Sequence, residues 1–302
     1  MGNNKILNGK ELASKLNLEL KDKISSFIKT SGINPKLAAV LVGDDPASKL
    51  YISIKRKTCS EIGIGSILVD LDKNITKSKL LDEIKKLNKD KSVHGILLQI
   101  PLPRDLQPYT SEFIEQIDPI KDVDGLHPIN RGKLFDYNED FVPCTPKGIV
   151  TLLEHYNVEI QGKNVVIINR SNLVGKPLIF MLLKRNATVT VCHSYTKNLV
   201  GYTKKADILI VAVGKSKFIT KEMVKEGVVI VDVGISRENG KLSGDVDFEG
   251  VFDKCSWITP NPGGVGPMTV SFLLHNTFNG SKELKNIELG DYTVLITSLS
   301  TT

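Results

Sequence analysis

The chain is short of cysteine, of aromatic residues and of long apolar runs, and each shortage excludes something. Its four cysteines, Cys59, Cys144, Cys192 and Cys255, lie 85, 48 and 63 residues apart. No CxxC or Cys/His pairing has zinc-ligand spacing, so neither disulfides nor a metal site is expected, and the thiols read as reduced and packed. No apolar run exceeds six residues, the length of Leu37–Val42 and Ile208–Val213. A membrane-spanning helix needs ~20, so no membrane partner is expected. Residues 1–30 alternate polar and apolar with no h-region, so no secretory signal is read and the expected compartment is the cytoplasm. Aromatics make up 6% of the chain, and none falls in the lysine-dense stretch Lys73–Lys91. That pattern describes a solvated amphipathic helix and not a nucleic-acid groove.

What remains is the composition of an ordinary globular chain. Its 302 residues are 41% hydrophobic and 25% charged, enough for two domains with a core each. Forty Lys and Arg against 34 Asp and Glu leave a net charge of +6. A basic surplus suits anionic partners such as phosphorylated cofactors, but solvated lysine faces give the same number.

Helical stripes alternate with short apolar strands almost throughout. Leu12, Leu16, Leu20, Ile24 and Phe27 form one stripe, with Asn8 and Glu11 spaced as a cap and its partner. Strands are expected at 37–42, 67–71 and 95–100, with helices at 47–62 and 78–88. Strands apolar on both faces and separated by helices imply a parallel sheet covered on both sides. The stretch 118–146 is rich in turn residues and reads as the crossing between domains, ended by a helix with Thr145 as cap and Pro146 at its first position. Alternation then resumes, with strands at 164–168, 188–192, 207–213 and 228–233 and helices from about 175, near 197–204 and at 220–226. Residues 268–278 look helical. The tail 281–302 is weakly patterned. The expected class is α/β in two domains: an N-terminal α/β catalytic domain with a parallel sheet, and a C-terminal NAD(P)-binding Rossmann-type domain.

The loop after strand 164–168, from Asn169 through Arg170 and Ser171 to Gly175, stands where a phosphate loop precedes its helix. It holds one glycine and is not GxGxxG, so a plain strand–helix connection fits equally well. NAD enzymes place an acid about 20 residues on to hold the ribose hydroxyls. Here the second strand ends in Cys192-His193-Ser194 with no acid, whereas Arg170 can pair with a 2′-phosphate, which favours NADP. His193 also reads as a plain strand end and Ser194 as a helix cap.

In the N-terminal half, Tyr51 and Lys55 are one helical turn apart and share a face. A lysine partly desolvated beside a tyrosine can act as base or proton relay. Lys55-Arg56-Lys57 also fits a solvated helix face. Gln99 ends a strand where ligands of parallel sheets bind, and its amide can address a heterocycle or simply a sheet edge. Asp122 and Asp124 flank Val123 in the crossing. Either carboxylate could take two donors from an aminopyrimidine, or build an Asx turn.

Taken together, Tyr51-Ile52-Ser53-Ile54-Lys55, Gly95 to Pro103, Lys121-Asp122-Val123-Asp124-Gly125, Arg170-Ser171 with Val174-Gly175 and Pro177, and Pro262 to Thr269 resemble one family. It is the bifunctional methylenetetrahydrofolate dehydrogenase/methenyltetrahydrofolate cyclohydrolase (FolD) family, and the resemblance covers roughly residues 5–279. It implies NADP-dependent oxidation of 5,10-methylenetetrahydrofolate to the methenyl form, then hydrolysis to 10-formyltetrahydrofolate in the same cleft. By the family pattern Lys55 is central to hydrolysis, Tyr51 stacks near the folate, Gln99 bonds Lys55 and Asp124 holds the pterin. Pro262, Gly263 and Gly266 would line that pocket, while Asn169, Arg170, Ser171, Gly175, Ser194 and Ile235 match cofactor-contacting positions. The resemblance also implies tetrahydrofolate derivatives as partners, no metal, and a homodimer joined through its cofactor domains. The expected division is 1–122 for the folate domain and 143–267 for the cofactor domain, with 268–290 packing back on the first. Asn169 replaces the family's usual Gly, and its tolerance of positive φ is the expected reason the loop survives. Asn261 replaces a small apolar residue. A dehydrogenase-only relative and a non-catalytic nucleotide-binding protein stay open as alternatives.

Overall fold

A computed structural model of the chain describes residues 5–238 and 241–288. The chain forms two compact units, and the dividing points fall within its first helix, its last helix and the helix Pro128–Phe135.

One unit comprises, among the described residues, Asn17–Asn130 and Leu273–Glu288. Helix α1 (Gly9–Ser31) starts on the expected reciprocal cap. Glu11 N–H donates to Asn8 Oδ1 at 3.1 Å and Asn8 Nδ2 to Glu11 Oε2 at 3.2 Å, satisfying a helix-end donor. Strand β1 (Lys36–Val42) is central, with β2 (Gly65–Leu71) and β3 (Gly95–Leu98) parallel on either side. Its unbroken apolar run is that of a strand covered on both faces, and Leu37–Val42 is buried throughout. Helix α2 (Pro46–Ile62) is capped by Asp45, whose carboxylate accepts Ser48 N–H at 2.8 Å. Helix α3 (Lys77–Lys89) buries Leu80, Ile84 and Leu87 and leaves Lys79, Lys85, Lys86 and Lys89 exposed, as its amphipathic stripe requires. Helices α4 (Thr110–Glu115) and α5 (Pro128–Phe135) follow. The sequence reading gave 118–146 as irregular throughout. Eight residues with one buried face show too little periodicity to register against the surrounding turn residues.

The other unit comprises, among the described residues, Lys5–Leu16 together with those of Arg131–Phe272. Helix α6 (Cys144–His155) starts after Pro143, earlier than expected, and carries Pro146 within its first turn. Thr145 is no cap; its hydroxyl pairs with that of Thr269 at 2.9 Å. Then come β4 (Asn164–Ile168), α7 (Gly175–Leu183), β5 (Thr188–Cys192), α8 (Leu199–Thr203), β6 (Ile208–Val211) and β7 (Val228–Asp232). A short hairpin, β8 (Ser236–Glu238) and β9 (Lys241–Ser243), precedes α9 (Phe248–Val251), β10 (Cys255–Ile258) and α10 (Val265–Glu288). The expected helix at 220–226 is only a 3-10 turn at Lys221–Met223, because Val224 is already extended. The last helix runs well past 268–278 in both directions; of the tail 281–302, residues 289–302 lie outside the described residues. The five parallel strands run in the order β10-β7-β6-β4-β5. Counted within this sheet the order is 2-1-3-4-5, a doubly wound arrangement whose switch point lies between β4 and β6.

Contacts cut across the linear division of the sequence. Residues before α1 extend the five-stranded sheet: Leu7 N–H donates to Ile258 O at 2.9 Å and Ile258 N–H to Lys5 O at 2.8 Å. Leu7, Leu12 and Ala13 lie in the core of that unit, so the chain's first residues join its C-terminal half and not the segment 1–122.

Two carboxylates brace the carboxyl end of this sheet. Asp245, fully buried, accepts N–H bonds from Val213, Gly214 (3.0 Å) and Lys215 (2.7 Å) just beyond β6. Asp232, ending β7, accepts from Asp245 N–H at 2.9 Å and Val246 N–H at 3.1 Å. Burial pushes the Asp232 carboxyl up to about 7, against the pull of those N–H bonds, with the Asp245 charge adding to the rise. A raised carboxyl pKa contributes stability that is full below its unfolded value of 3.8 and lost as pH rises through about 7. Thermal unfolding from pH 5 to 8 should therefore show wild type losing stability relative to Asp232→Asn as pH rises. A difference between the two proteins that is flat across this range refutes the assignment.

Candidate functional site

Four of the expected residues lie in the unit built on β1. Helix α2 carries Tyr51 and Lys55 one turn apart, with Tyr51 exposed. Gln99 follows β3, and its backbone N–H continues the ladder to Val40 O at 2.9 Å. Lys55 Nζ donates to Gln99 Oε1 at 3.2 Å, while Gln99 Nε2 donates to Ile100 O at 2.7 Å. The second bond fixes which way the amide faces, so its oxygen is the atom offered to Lys55.

The two aspartates of the 121–125 turn have different roles. Asp122 is buried; its Oδ2 accepts His127 N–H at 2.8 Å and Asn130 Nδ2 at 2.9 Å. It builds the turn. Asp124 is half-buried, and its carboxylate has no hydrogen-bond partner among the described residues. Desolvation raises its pKa, the Lys55 charge works against the rise and the Asp122 charge adds to it. An unpartnered, partly desolvated carboxylate facing a lysine is suited to a ligand that brings its own N–H donors.

The other expected residues lie in the unit built on β4, most of them beyond the carboxyl ends of its parallel strands, where ligands of open α/β sheets bind. Asn169, Arg170 and Ser171 follow β4, Ser194 follows β5 and Ile235 follows β7. Pro262, Gly263 and Gly266 belong to this unit as well; Gly263 O accepts Lys10 N–H at 2.8 Å, and Asn261 Nδ2 donates to Gly234 O.

Asn169 corrects the sequence reading. It is not among the residues of positive φ; its side chain organises the loop instead. Oδ1 accepts Ser171 N–H at 2.8 Å and Gly175 N–H at 3.0 Å, and Nδ2 donates to Ala212 O at 2.6 Å. One side chain thus ties the first turn of α7 to the end of β6, across the switch point. Gly175 is required at this spot, because a Cβ there would run into the Asn169 carbonyl.

The site fits a dinucleotide carrying a 2′-phosphate. Arg170 and Ser194 are exposed, and the Arg170 guanidinium lies over the Tyr195 ring at 5.5 Å. No acid occurs in Asn169–Leu173 or His193–Asn198, so nothing there repels a phosphate. His193 is a turn former, its ring Nδ1 accepting Tyr195 N–H at 3.2 Å. Sequence reasoning missed Tyr195, Asp232 and Asp245. Tyr195 gave a signal as an aromatic beside Ser194; the aspartates gave none, since their N–H partners lie in other loops.

Among the described residues no helix is long and apolar enough to cross a membrane, and no His/Cys/Asp/Glu group could hold a metal ion. The tetrahydrofolate dehydrogenase/cyclohydrolase catalytic-domain model matches residues 7–124, and that family's NAD(P)-binding-domain model matches 143–285. The bifunctional protein FolD of Halalkalibacterium halodurans is 52% identical over 278 residues, which are 92% of this chain and 99% of that protein. The crystal structure of the bifunctional enzyme FolD from Campylobacter jejuni superposes with a TM-score of 0.89 at 50% identity, covering 92% of this chain and 98% of that one. The Trypanosoma brucei methylenetetrahydrofolate dehydrogenase-cyclohydrolase, crystallised with NADP and an inhibitor, gives 0.88 at 33% identity, over 92% and 97% of the two chains. By its two domains, its fold and its identity to these relatives, the chain belongs to the tetrahydrofolate dehydrogenase/cyclohydrolase family.

Proposed function

We propose that this protein is a bifunctional enzyme of one-carbon metabolism. It oxidises 5,10-methylenetetrahydrofolate to 5,10-methenyltetrahydrofolate with NADP and hydrolyses that product to 10-formyltetrahydrofolate. The observation that carries the reading is Lys55 held by Gln99 at 3.2 Å and facing an unpartnered Asp124.

In this reading Asp124 accepts two N–H bonds from the pterin ring and Tyr51 stacks against the folate. When bound, NADP accepts the hydride leaving the methylene carbon. Hydrolysis begins as water adds its oxygen to the methenyl carbon. Lys55 releases a proton to solvent and its nitrogen takes one proton from that water, so the lysine ends as it began. The hydroxyl proton of the adduct ends on the ring nitrogen whose bond to that carbon breaks, which leaves the formyl group on the other nitrogen. Gln99 keeps the Lys55 nitrogen pointed toward the reacting carbon through the transfer. For the cofactor, Arg170 pairs with the 2′-phosphate while stacked on Tyr195. Ser171 and Ser194 offer hydroxyls, and Ile235 offers apolar surface. Asn169 Oδ1 already occupies Ser171 N–H and Gly175 N–H, so in this chain the phosphates depend more on side-chain donors than on those two backbone groups. The unit holding Asn17–Asn130 is then the folate domain, and the unit holding Arg131–Phe272 the cofactor domain. The family resemblance supports a cytoplasmic homodimer joined through its cofactor domains.

Four measurements test this reading. Methylenetetrahydrofolate plus NADP should yield the methenyl chromophore and NADPH, and the enzyme should speed the decay of supplied methenyl substrate; failure of both overturns the function. Lys55→Met should slow that decay by about 10²- to 10⁴-fold, the range of a lost general acid–base group, with NADP binding unchanged. Arg170→Ala should weaken NADP by about 10-fold or more and leave NAD nearly unaffected, as loss of a charge-assisted phosphate contact predicts. Light scattering should give twice the 33.3 kDa chain mass; a monomer refutes the assembly.

A further inference from the structure

The 121–125 turn is held from outside by a residue that no catalytic role absorbs. Asn276 of α10 is buried, and its Nδ2 donates to Val123 O at 2.8 Å. That carbonyl belongs to the peptide whose nitrogen is Asp124's own. Peptides on this path can turn as rigid plates about their flanking Cα atoms, changing ψ of one residue and φ of the next. A donor on the Val123 carbonyl holds that plate, and with it the place of the Asp124 nitrogen and Cα in the turn.

The residues on either side of Val123 are restrained as well. Ile96 N–H donates to Lys121 O at 2.7 Å, and Ile96 bridges Asp122 in parallel register. Asp122 is locked by His127 and Asn130. Packing brings the turn and α10 together: a Cβ on Gly95 would strike the Val123 side chain and lie 3.2 Å from Thr277 Oγ1, and one on Gly280 would strike His94 O and lie 2.9 Å from Ile120 O. These contacts bring the turn against α10, and the Asn276 amide bonds the peptide that leads into Asp124. Asp124 has no side-chain hydrogen bond among the described residues to hold it otherwise.

We propose that Asn276 is a positioning residue for Asp124, setting the carboxylate to accept two parallel N–H donors from an aminopyrimidine ring. The proposal rests on the reading of Asp124 as the pterin ligand.

The test is a double-mutant cycle in the dehydrogenase assay. Asn276→Leu keeps the shape and removes the donor. The KM for methylenetetrahydrofolate should rise about 5- to 10-fold, the worth of one hydrogen bond, with kcat changing less and the KM for NADP unchanged. Asn276→Ser, which retains a shorter donor and disturbs the core less, should fall between wild type and Asn276→Leu. In an Asp124→Ala background, Asn276→Leu should add no further rise in folate KM. A purely structural role would instead lower the active fraction, reducing kcat at constant KM, and would add to the Asp124→Ala effect. Either of those results overturns the proposal. An Asp124→Ala protein with wild-type folate KM overturns the pterin assignment itself, and is recognised because the single Asp124 variant alone reveals it.

Discussion

Loops that leave the carboxyl ends of buried parallel strands carry backbone N–H groups with little access to water, and each needs an acceptor. An unpaired buried donor costs about 1–3 kcal/mol, so these positions decide which side chains the loops can hold. Asn169 takes two such N–H groups, Asp245 takes three and Asp232 two. Asp122 does the same service in the other unit. The acceptors differ in consequence. Asn169 carries no charge into the interior, whereas burial raises Asp122 and Asp232. Building loops with carboxylates thus links the fold to pH, and building one with an amide does not.

Much of the architecture is legible in the sequence because strands buried on both faces are continuous apolar runs. Strand 164–168 is such a run and coincides with β4 to the residue; 188–192, which alternates Thr with Val at the sheet edge, coincides with β5. The reading is weakest where short elements depend on tertiary contacts. Helix α5 has one buried turn inside a turn-rich stretch. Residues 220–226 look helical, but Val224 is already extended and buried. Thr145 followed by Pro146 is a sound local start signal, yet the Thr145 hydroxyl pairs with Thr269, distant in the chain, and the helix begins earlier. Local chemistry proposes such starts, and long-range partners decide them.

The candidate site was legible in a different way. Helical spacing puts Tyr51 and Lys55 on one face, and a strand end gives Gln99 its place, so the Lys55–Gln99 bond agrees with both. Spacing could not separate Asp122 from Asp124, because both flank the same valine in the same turn. The distinction lies in His127 and Asn130, whose donors reach one carboxylate and not the other. Asn169 shows the opposite limit. Backbone permissiveness is the obvious reason to find Asn where Gly is usual, but the residue is used for its amide, whose partner Ala212 is invisible until β4 and β6 are known to be neighbours.

Counting partners settles which polar groups are free to do chemistry. Lys121 and Lys55 lie in the same unit, and both are cations drawn from a basic surplus whose average says little. Lys121 is buried, and its ammonium donates to Leu87 O at 3.1 Å, Asn88 O at 2.7 Å and Asp90 O at 2.8 Å. All three of its protons are committed to carbonyls at the end of α3, so it terminates a helix and has nothing left to offer a ligand. Lys55 commits one, to Gln99. A proton relay must keep donors uncommitted in the resting protein, and a carboxylate that is to bind a donor pair must keep its lone pairs. Lys55 and Asp124 meet that condition, whereas Lys121 and Asp122, in the turn that carries Asp124, have spent theirs on the fold.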